Sequence, residues 1–399
     1  MARRPRERKA RGASVVGARF EVTVGPVAHG GHCVARVAEA GNRVVFVRHA
    51  LPGEQVVVEV TEGTEGDGFW RGDAVEVRTP SPDRVPAPCP YAGPELCGGC
   101  DFQHVALPAQ RDLKAAVVRE QLVRLGGLAE DDPLVAGLVV EAVDGDQEGL
   151  RWRTRMRYVG LPGGAQGLHV HRSSEVVEID DCRIAHPRAL EVVEGVRDDG
   201  PTAPVVEQVA AQGTEREFAV DADGFWQVHP GAPGVLVGTV LELLGPRPGE
   251  AVLDLYAGVG VFAAFLADRV GERGRVVAVE GDLAACGHAR GNLVGLPQAR
   301  VAQGSVDRVL RESYDEPFDL VVLDPPREGA RRKVVEQVVD RAPRAVAYVA
   351  CDPAALARDV ATFADLGYRL SALRAFDLFP MTHHVECVAL LTKTGVDLR

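Results

Sequence analysis

Lysine is nearly absent from this chain of 399 residues: Lys9, Lys114, Lys333 and Lys393 are the only four, so arginine carries the positive charge. Genome composition accounts for that bias more simply than phosphate binding does. A net charge of −12 argues against a wholesale polyanion binder. No apolar run approaches the roughly 20 residues that cross a bilayer. The basic N-terminus, MARRPRERKARGAS, has no apolar segment behind it, so a secretory signal is not expected and a cytoplasmic location is. In that compartment eight cysteines are not a disulfide framework. There is no internal repeat. What remains, with 46 % hydrophobic residues, is a chain long enough for two or three packed domains.

Residues 1–17, rich in arginine, are expected to be a disordered basic tail. From 18 to 79, RFEVTVG, CVARVAE, RVVFVRH, EQVVVEVTE and AVEVRT alternate apolar and polar residues at period two, as the strands of a small OB-like β-barrel would. A central α+β region, 80–215, opens on a Pro- and Cys-rich loop and continues into a helical segment with Leu113, Val117, Leu122 and Leu125 on one face. It also holds RWRTRMRY, where Arg151, Arg153, Arg155 and Arg157 would share one face of a strand and Trp152, Met156 and Tyr158 the other. RNA phosphates would answer such a row of guanidiniums, although Glu175, Glu178 and Asp180 are acidic alternatives.

From 216 to 399 the rhythm is βαβ. AVLDLYAG, RVVAVEGD, FDLVVLDPP and AVAYVACDP are apolar runs ending in Gly, Asp or Pro, which predicts a doubly wound, Rossmann-like sheet closed by an antiparallel pair. Ligands of such sheets bind at the carboxyl ends of the strands. Gly258 and Gly260 follow the first strand without a full G-x-G-x-x-G, Glu280 ends the second and Asp324 the fourth. These ends suit a nucleoside-bearing cofactor without phosphates, S-adenosylmethionine. Cys351 stands directly past an apolar run, where a thiol would line the same site.

Cys89, Cys97 and Cys100 form C-x7-C-x2-C, and Cys182 is the available fourth ligand. The residues alone leave zinc and an iron–sulfur cluster equally open. Cys33 and Cys286 have no evident partner and are expected to pack.

DLYAGVG, VVLDPPREG, ACDPAALARD and DLFPMTHHVECVALL occur in this order, and together they resemble the RNA uracil-C5 methyltransferase family. The resemblance extends through GFWQVHP and the cysteines to the barrel, which is similar to a TRAM domain. It implies a class I methyltransferase domain with Gln227, Tyr256, Glu280 and Asp324 on S-adenosylmethionine. It implies a [4Fe–4S] cluster on the four cysteines, Cys351 as nucleophile and Glu386 as base. Val261, Ala350 and Asp352 stand where the family often carries Asn, Ser and Asn.

Uracil C5 is a poor nucleophile. A thiolate added at C6 turns C5 into an enolate-like carbon that attacks a methyl sulfonium, and a base then removes the C5 proton. The expectation is therefore a monomeric enzyme acting on a flipped uridine in structured RNA, ribosomal rather than transfer RNA. Cytosine-C5 methylation is the nearer rival, and a noncatalytic RNA-binding protein the more distant one. His383 and His384 are expected to do no more than position, and Cys387 to point away from Glu386.

Overall fold

The computed structural model describes residues 12–194 and 203–395. They fall into two compact units, the first within Met1–Leu113, Leu161–Arg183 and Pro380–His383, the second within Lys114–Gly160, Ile184–Phe379 and His384–Arg399.

In the first unit six strands, β1 (Arg19–Thr23), β2 (Val27–Ala28), β3 (His32–Val37), β4 (Arg43–Arg48), β5 (Gln55–Glu62) and β6 (Phe69–Thr79), pair in the order β1-β5-β6-β4-β3-β2. Alternation buries Val45 and Val47 of β4 and Val56, Val58 and Val60 of β5 on the inner face. The register shifts repeatedly between β5 and β6, and such bulges curl a sheet toward a barrel. Gly72 permits one of these close approaches, since a Cβ there would lie 2.5 Å from the carbonyl oxygen of Glu59.

The disordered tail expected over residues 1–17 lies largely outside the described residues. Residues 1–11 lie outside the described residues, but Ser14 bridges Thr64 and the Gly17 N–H donates to Val60 O at 2.8 Å. Backbone pairing to the barrel thus fixes the end of this segment. Arg19 bonds Glu59 at 2.6 Å.

The chain leaves the first unit within α1 (Leu107–Arg124). Val117 and Leu122 are buried as their spacing predicts, but Leu125 lies beyond the helix end and is exposed. A short helix, α2 (Pro133–Ala136), and the strands β7 (Val140–Ala142) and β8 (Arg153–Gly160) follow in the second unit. The antiparallel hairpin of β9 (Gln166–His169) and β10 (Val176–Glu178) then returns to the first. Here the Gly98 N–H donates to His169 O at 2.9 Å, and a Cβ on Gly98 would lie 2.5 Å from the backbone of His171. Only glycine lets the cysteine loop approach so closely.

In the second unit β8 pairs in parallel with β11 (Ala185–Glu194), and β12 (Val205–Ala211) forms a hairpin with β13 (Thr214–Val220). Trp152, Met156 and Tyr158 are buried, as alternation predicts. Two of the arginines in the row have acidic partners. Arg151 precedes the strand at φ 57°, Arg155 pairs with Glu207 at 3.3 Å and Arg157 approaches Glu194 at 3.9 Å. The neutralising acids are not the three expected from the sequence but two on strands more distant in the chain.

The core is an eight-stranded sheet. After α3 (Ala232–Leu244) come β14 (Ala251–Leu255), α4 (Val261–Val270), β15 (Arg275–Glu280), α5 (Leu283–Asn292), β16 (Ala299–Gln303), α6 (Val306–Ser313) and β17 (Leu320–Leu323). The chain continues through α7 (Arg331–Asp340), β18 (Ala345–Ala350), α8 (Pro353–Asp365), β19 (Tyr368–Asp377) and β20 (Glu386–Lys393). The strand order is β16-β15-β14-β17-β18-β20-β19-β7, and only β20 runs antiparallel to both of its neighbours. Successive residues of β14, β15, β17 and β18 pack into two separate clusters, one on each face: Leu253 and Leu255 on one, Val252 on the other. Burial on both faces is why these strands are continuous apolar runs. The order reverses between β14 and β17, the switch point at which the carboxyl ends open a crevice.

Candidate active site

The turn after β14 builds one wall of that crevice. Tyr256, Gly258 and Gly260 have φ of 66°, 54° and 87°, a left-handed run that brings the chain round into α4. Tyr256 N and Ala257 N both donate to Val279 O, at 2.9 and 3.0 Å, which ties the turn to β15. Glu280, half-buried at the end of β15, accepts at 2.8 Å from Gly258 N through one oxygen. Its other oxygen accepts from Gly281 N and Asp282 N at 2.6 and 2.8 Å. Three N–H groups thus set the direction of this carboxylate. It is not a helix cap: Asp282 caps α5, accepting from Ala285 N at 2.9 Å.

Asp254, within β14, is the acid that sequence reasoning missed. It is completely buried, Oδ2 accepts from Ala263 N at 2.9 Å, and Oδ1 has no partner among the described residues. Burial raises its carboxyl to about 7, with Asp324 and Glu280 adding to the rise. Its signal in the sequence was an acid inside an otherwise apolar strand. Asp324 follows β17, far from any helix start, and burial raises it to about 7.

Gln227 is half-buried in the segment after β13, beside Trp226, which packs on Phe218 at 6.2 Å, and Phe225, which is 76 % exposed. Among the described residues, Gln227 has no side-chain hydrogen-bond partner. S-adenosylmethionine fits the strand ends: a fixed acid at Glu280 for ribose hydroxyls, an orphaned buried oxygen at Asp254 and the left-handed glycine turn between them.

On the far side of the switch point, β18 ends at Ala350, Cys351 occupies the turn, and Asp352 caps α8 by accepting from Ala355 N at 2.7 Å. Pro353 supplies the first helical position, where its missing N–H costs nothing. β20 runs back along β18 with Cys387 opposite Ala350, so Glu386 comes to the strand end next to Cys351. Glu386 is 3 % exposed, and burial, then Asp324, holds its carboxyl well above the usual range. The Cys351 thiol is pushed up to about 12 by burial first and Glu386 second, with Arg327 opposing, and Asp324 and Asp352 adding to the rise. Cys387 is fully buried in one cluster and Val388 in the cluster on the other face, the face that strand alternation gives Glu386.

The two histidines part company. His384 sits 3.2 Å from Arg327 Nη2 in the second unit, whereas His383 Nδ1 pairs with Asp101 Oδ2 at 2.6 Å in the first. Arg327 was visible in DPPREG but had no role assigned.

In the first unit Cys97, Cys100 and Cys182 are electrostatic neighbours, and burial followed by the charges of Cys182 and Cys97 raises the Cys100 thiol, against a hydrogen bond from Gln103. Cys97 bridges Val170 through the backbone. Among the described residues, no three or more His, Cys, Asp or Glu side chains are arranged as a metal site. The expected four-thiol ligand set is therefore not assembled here. Cys33 and Cys286 are buried.

A doubly wound sheet with an acid at the second strand end, a left-handed turn after the first and no full G-x-G-x-x-G fits an S-adenosylmethionine-dependent methyltransferase, and the family matches give that class. Residues 13–75 match the TRAM domain, 236–348 the methyltransferase small domain and 305–394 the tRNA (Uracil-5-)-methyltransferase family. An RNA methyltransferase of Streptomyces avermitilis, its specific role uncharacterized, is 46 % identical over 94 % of this chain and 98 % of its own. The 23S rRNA (uracil(1939)-C(5))-methyltransferase RlmD of Thiobacillus denitrificans is 29 % identical over 92 % of this chain and 98 % of its own. The structure of Pyrococcus abyssi tRNA (uracil-54, C5)-methyltransferase with S-adenosyl-L-homocysteine superposes with a TM-score of 0.65 at 20 % identity, covering 94 % of this chain and 99 % of that one. The chain belongs to the RNA uracil-C5 methyltransferase family. Among the described residues, no helix is long and apolar enough to cross a membrane.

Proposed function

We propose that this enzyme methylates C5 of a uridine in ribosomal RNA through a covalent adduct on Cys351. The observation that carries the reading is the juxtaposition of Cys351 and Glu386 at the adjoining ends of β18 and β20.

Gln227, Tyr256, Glu280 and Asp324 would hold S-adenosylmethionine, which supplies the methyl group. Cys351 gives its proton to solvent and adds as the thiolate to C6 of the flipped base, and as the sulfur–carbon bond forms the C5–C6 π pair moves onto C5, which becomes the carbon that is methylated. Arg327, the cation whose field opposes the upward shift of the thiol, favours the developing thiolate. After methylation, Glu386 takes the C5 proton, and the electron pair of that C–H bond expels the Cys351 sulfur from C6. A buried carboxyl with a raised pKa is suited to holding that proton. Ribosomal RNA is favoured by the barrel-and-cysteine architecture and by the relative that acts on 23S rRNA.

The test is tritium release from RNA labelled at uracil C5, with Cys351→Ala as control and 23S rRNA and tRNA as separate substrates. Release by the unaltered enzyme from 23S rRNA alone supports the proposal. Release from tRNA alone reassigns the substrate. Methyl transfer to cytosine without release from uracil sinks it.

Cys89, Cys97, Cys100 and Cys182 would bind a [4Fe–4S] cluster in the same reading, supported by the electrostatic neighbourhood of Cys100 with Cys97 and with Cys182. Anaerobic purification should give close to four irons per chain and a broad absorption near 400 nm, both lost in Cys100→Ser. Stoichiometric zinc without iron would replace the cluster by the other candidate.

A further inference from the structure

The first unit contains a cavity that the methyl-transfer chemistry does not use. It measures about 310 Å³, at the small end of ligand sites, and its lining combines the apolar Val75, Val77 and Pro86 with His49, Gln103 and His104, the acids Glu76 and Asp101 and the thiol Cys100. Gln103 and His104 are only 3 % and 8 % exposed. The Gln103 amide nitrogen donates to Cys100 Sγ at 3.4 Å, which leaves Oε1 with no partner. His104 is hydrogen-bonded to the backbone of Ala50 in a way that raises its basicity, so Nδ1–H donates to the carbonyl, and Nε2 has no partner.

Burial lowers His104 to about 4 and His49 to about 3, so both rings are neutral at physiological pH. A neutral ring that donates from Nδ1 offers only a lone pair at Nε2. The polar wall therefore presents two buried acceptors, Gln103 Oε1 and His104 Nε2, beside the unpartnered Nε2 of His49, and each acceptor is unfavourable unless it meets a donor. The cation on the wall, Arg84, is already taken up by Glu54 at 2.6 and 2.7 Å, so a phosphate finds no unpaired charge there. What this wall accepts is a flat, neutral group with an N–H edge.

We infer that this cavity holds an unpaired amino-bearing nucleobase of the RNA substrate (adenine, cytosine or guanine), whose exocyclic N–H groups face Gln103 and His104. Uracil offers a single donor, N3–H, flanked by the lone pairs of O2 and O4, so it can satisfy at most one of the two acceptors and is disfavoured. The cavity thus reads a base other than the methylated one. This rests on RNA being the substrate.

The test uses the full-length protein and fluorescence anisotropy with seven-nucleotide oligomers of adenylate, cytidylate and uridylate. The adenylate and cytidylate oligomers should bind about tenfold more tightly than the uridylate one, the discrimination a pair of base-edge contacts gives. Val75→Trp, which fills the apolar side of the cavity, and His104→Phe should each remove that preference while oligouridylate affinity stays within about twofold. Equal affinity for all three oligomers, or a preference that survives both substitutions, overturns the inference. So does adenosine that competes as effectively as oligoadenylate, because the cavity would then serve a free nucleoside. Methyl transfer to RNA with equal oligomer affinities overturns the pocket alone. Absence of both RNA binding and methyl transfer overturns the pocket and the proposed function together.

Discussion

The hydroxyl of Tyr348 donates to Asp359 Oδ2 at 2.6 Å, and both oxygens accept from the backbone N–H of Ala330, at 2.9 and 2.8 Å. This fully buried strand residue and this helix residue together fasten the end of the loop that carries Asp324 and Arg327. Tyr348→Phe removes one charge-assisted bond, so thermal unfolding should report a loss of about 1.5–3 kcal/mol. If the pair positions the loop, the KM for S-adenosylmethionine should rise through Asp324 and kcat should fall through Arg327. Unchanged stability and unchanged kcat would mean that the loop is held by other contacts.

Cys351 should be slow to alkylate in the free enzyme. Its thiol is pushed up to about 12, so the thiolate is scarce at neutral pH and increases about tenfold per pH unit. Iodoacetamide labelling of this residue, followed by peptide mass spectrometry, should rise through pH 9 without a plateau. A plateau near pH 8 would contradict the raised thiol.

Glu386→Gln should separate adduct formation from release. Without a base for the C5 proton, a covalent RNA–protein complex should accumulate and survive denaturing electrophoresis, while turnover drops by about 10²–10⁴-fold. Full turnover in this variant would remove Glu386 from the mechanism.

Asp254 makes the fold sensitive to pH in a defined direction. Its folded-state pKa, about 7, lies above the ordinary value of 3.8, so the folded protein holds a proton that the unfolded chain releases. That contribution is full below about pH 4 and is lost progressively as pH rises toward 7. Asp254→Asn should therefore gain in relative Tm across this interval, and a difference that stays flat from pH 4 to 7 would refute the assignment.

How far such features can be read from residues alone depends on the range of the interaction. The strands β14, β15, β17 and β18 are legible because burial on both faces forces unbroken apolar runs, and Cys351 is legible because it follows one of them. Glu386 needed the family motif, since its neighbourhood with Cys351 comes from antiparallel pairing of segments far apart in the chain. The arginine row misled because its neutralising acid, Glu207, stands 52 residues away from Arg155. The partition of neighbouring His383 and His384 between two units leaves no local pattern at all. Asp254 had a local signal, an acid in an apolar strand, that was simply not weighed.

The position of β20 carries a consequence for the order in which activity is acquired. It lies between β18 and β19, although it follows both in the chain, so it is inserted rather than added. The parallel strands through β18, with the thiol at their end, have their pairing partners before β20 arrives. β19 and β7 join the sheet only through it. On the proposed mechanism, a chain halted before that insertion would hold Cys351 without Glu386, and could form the covalent adduct without resolving it.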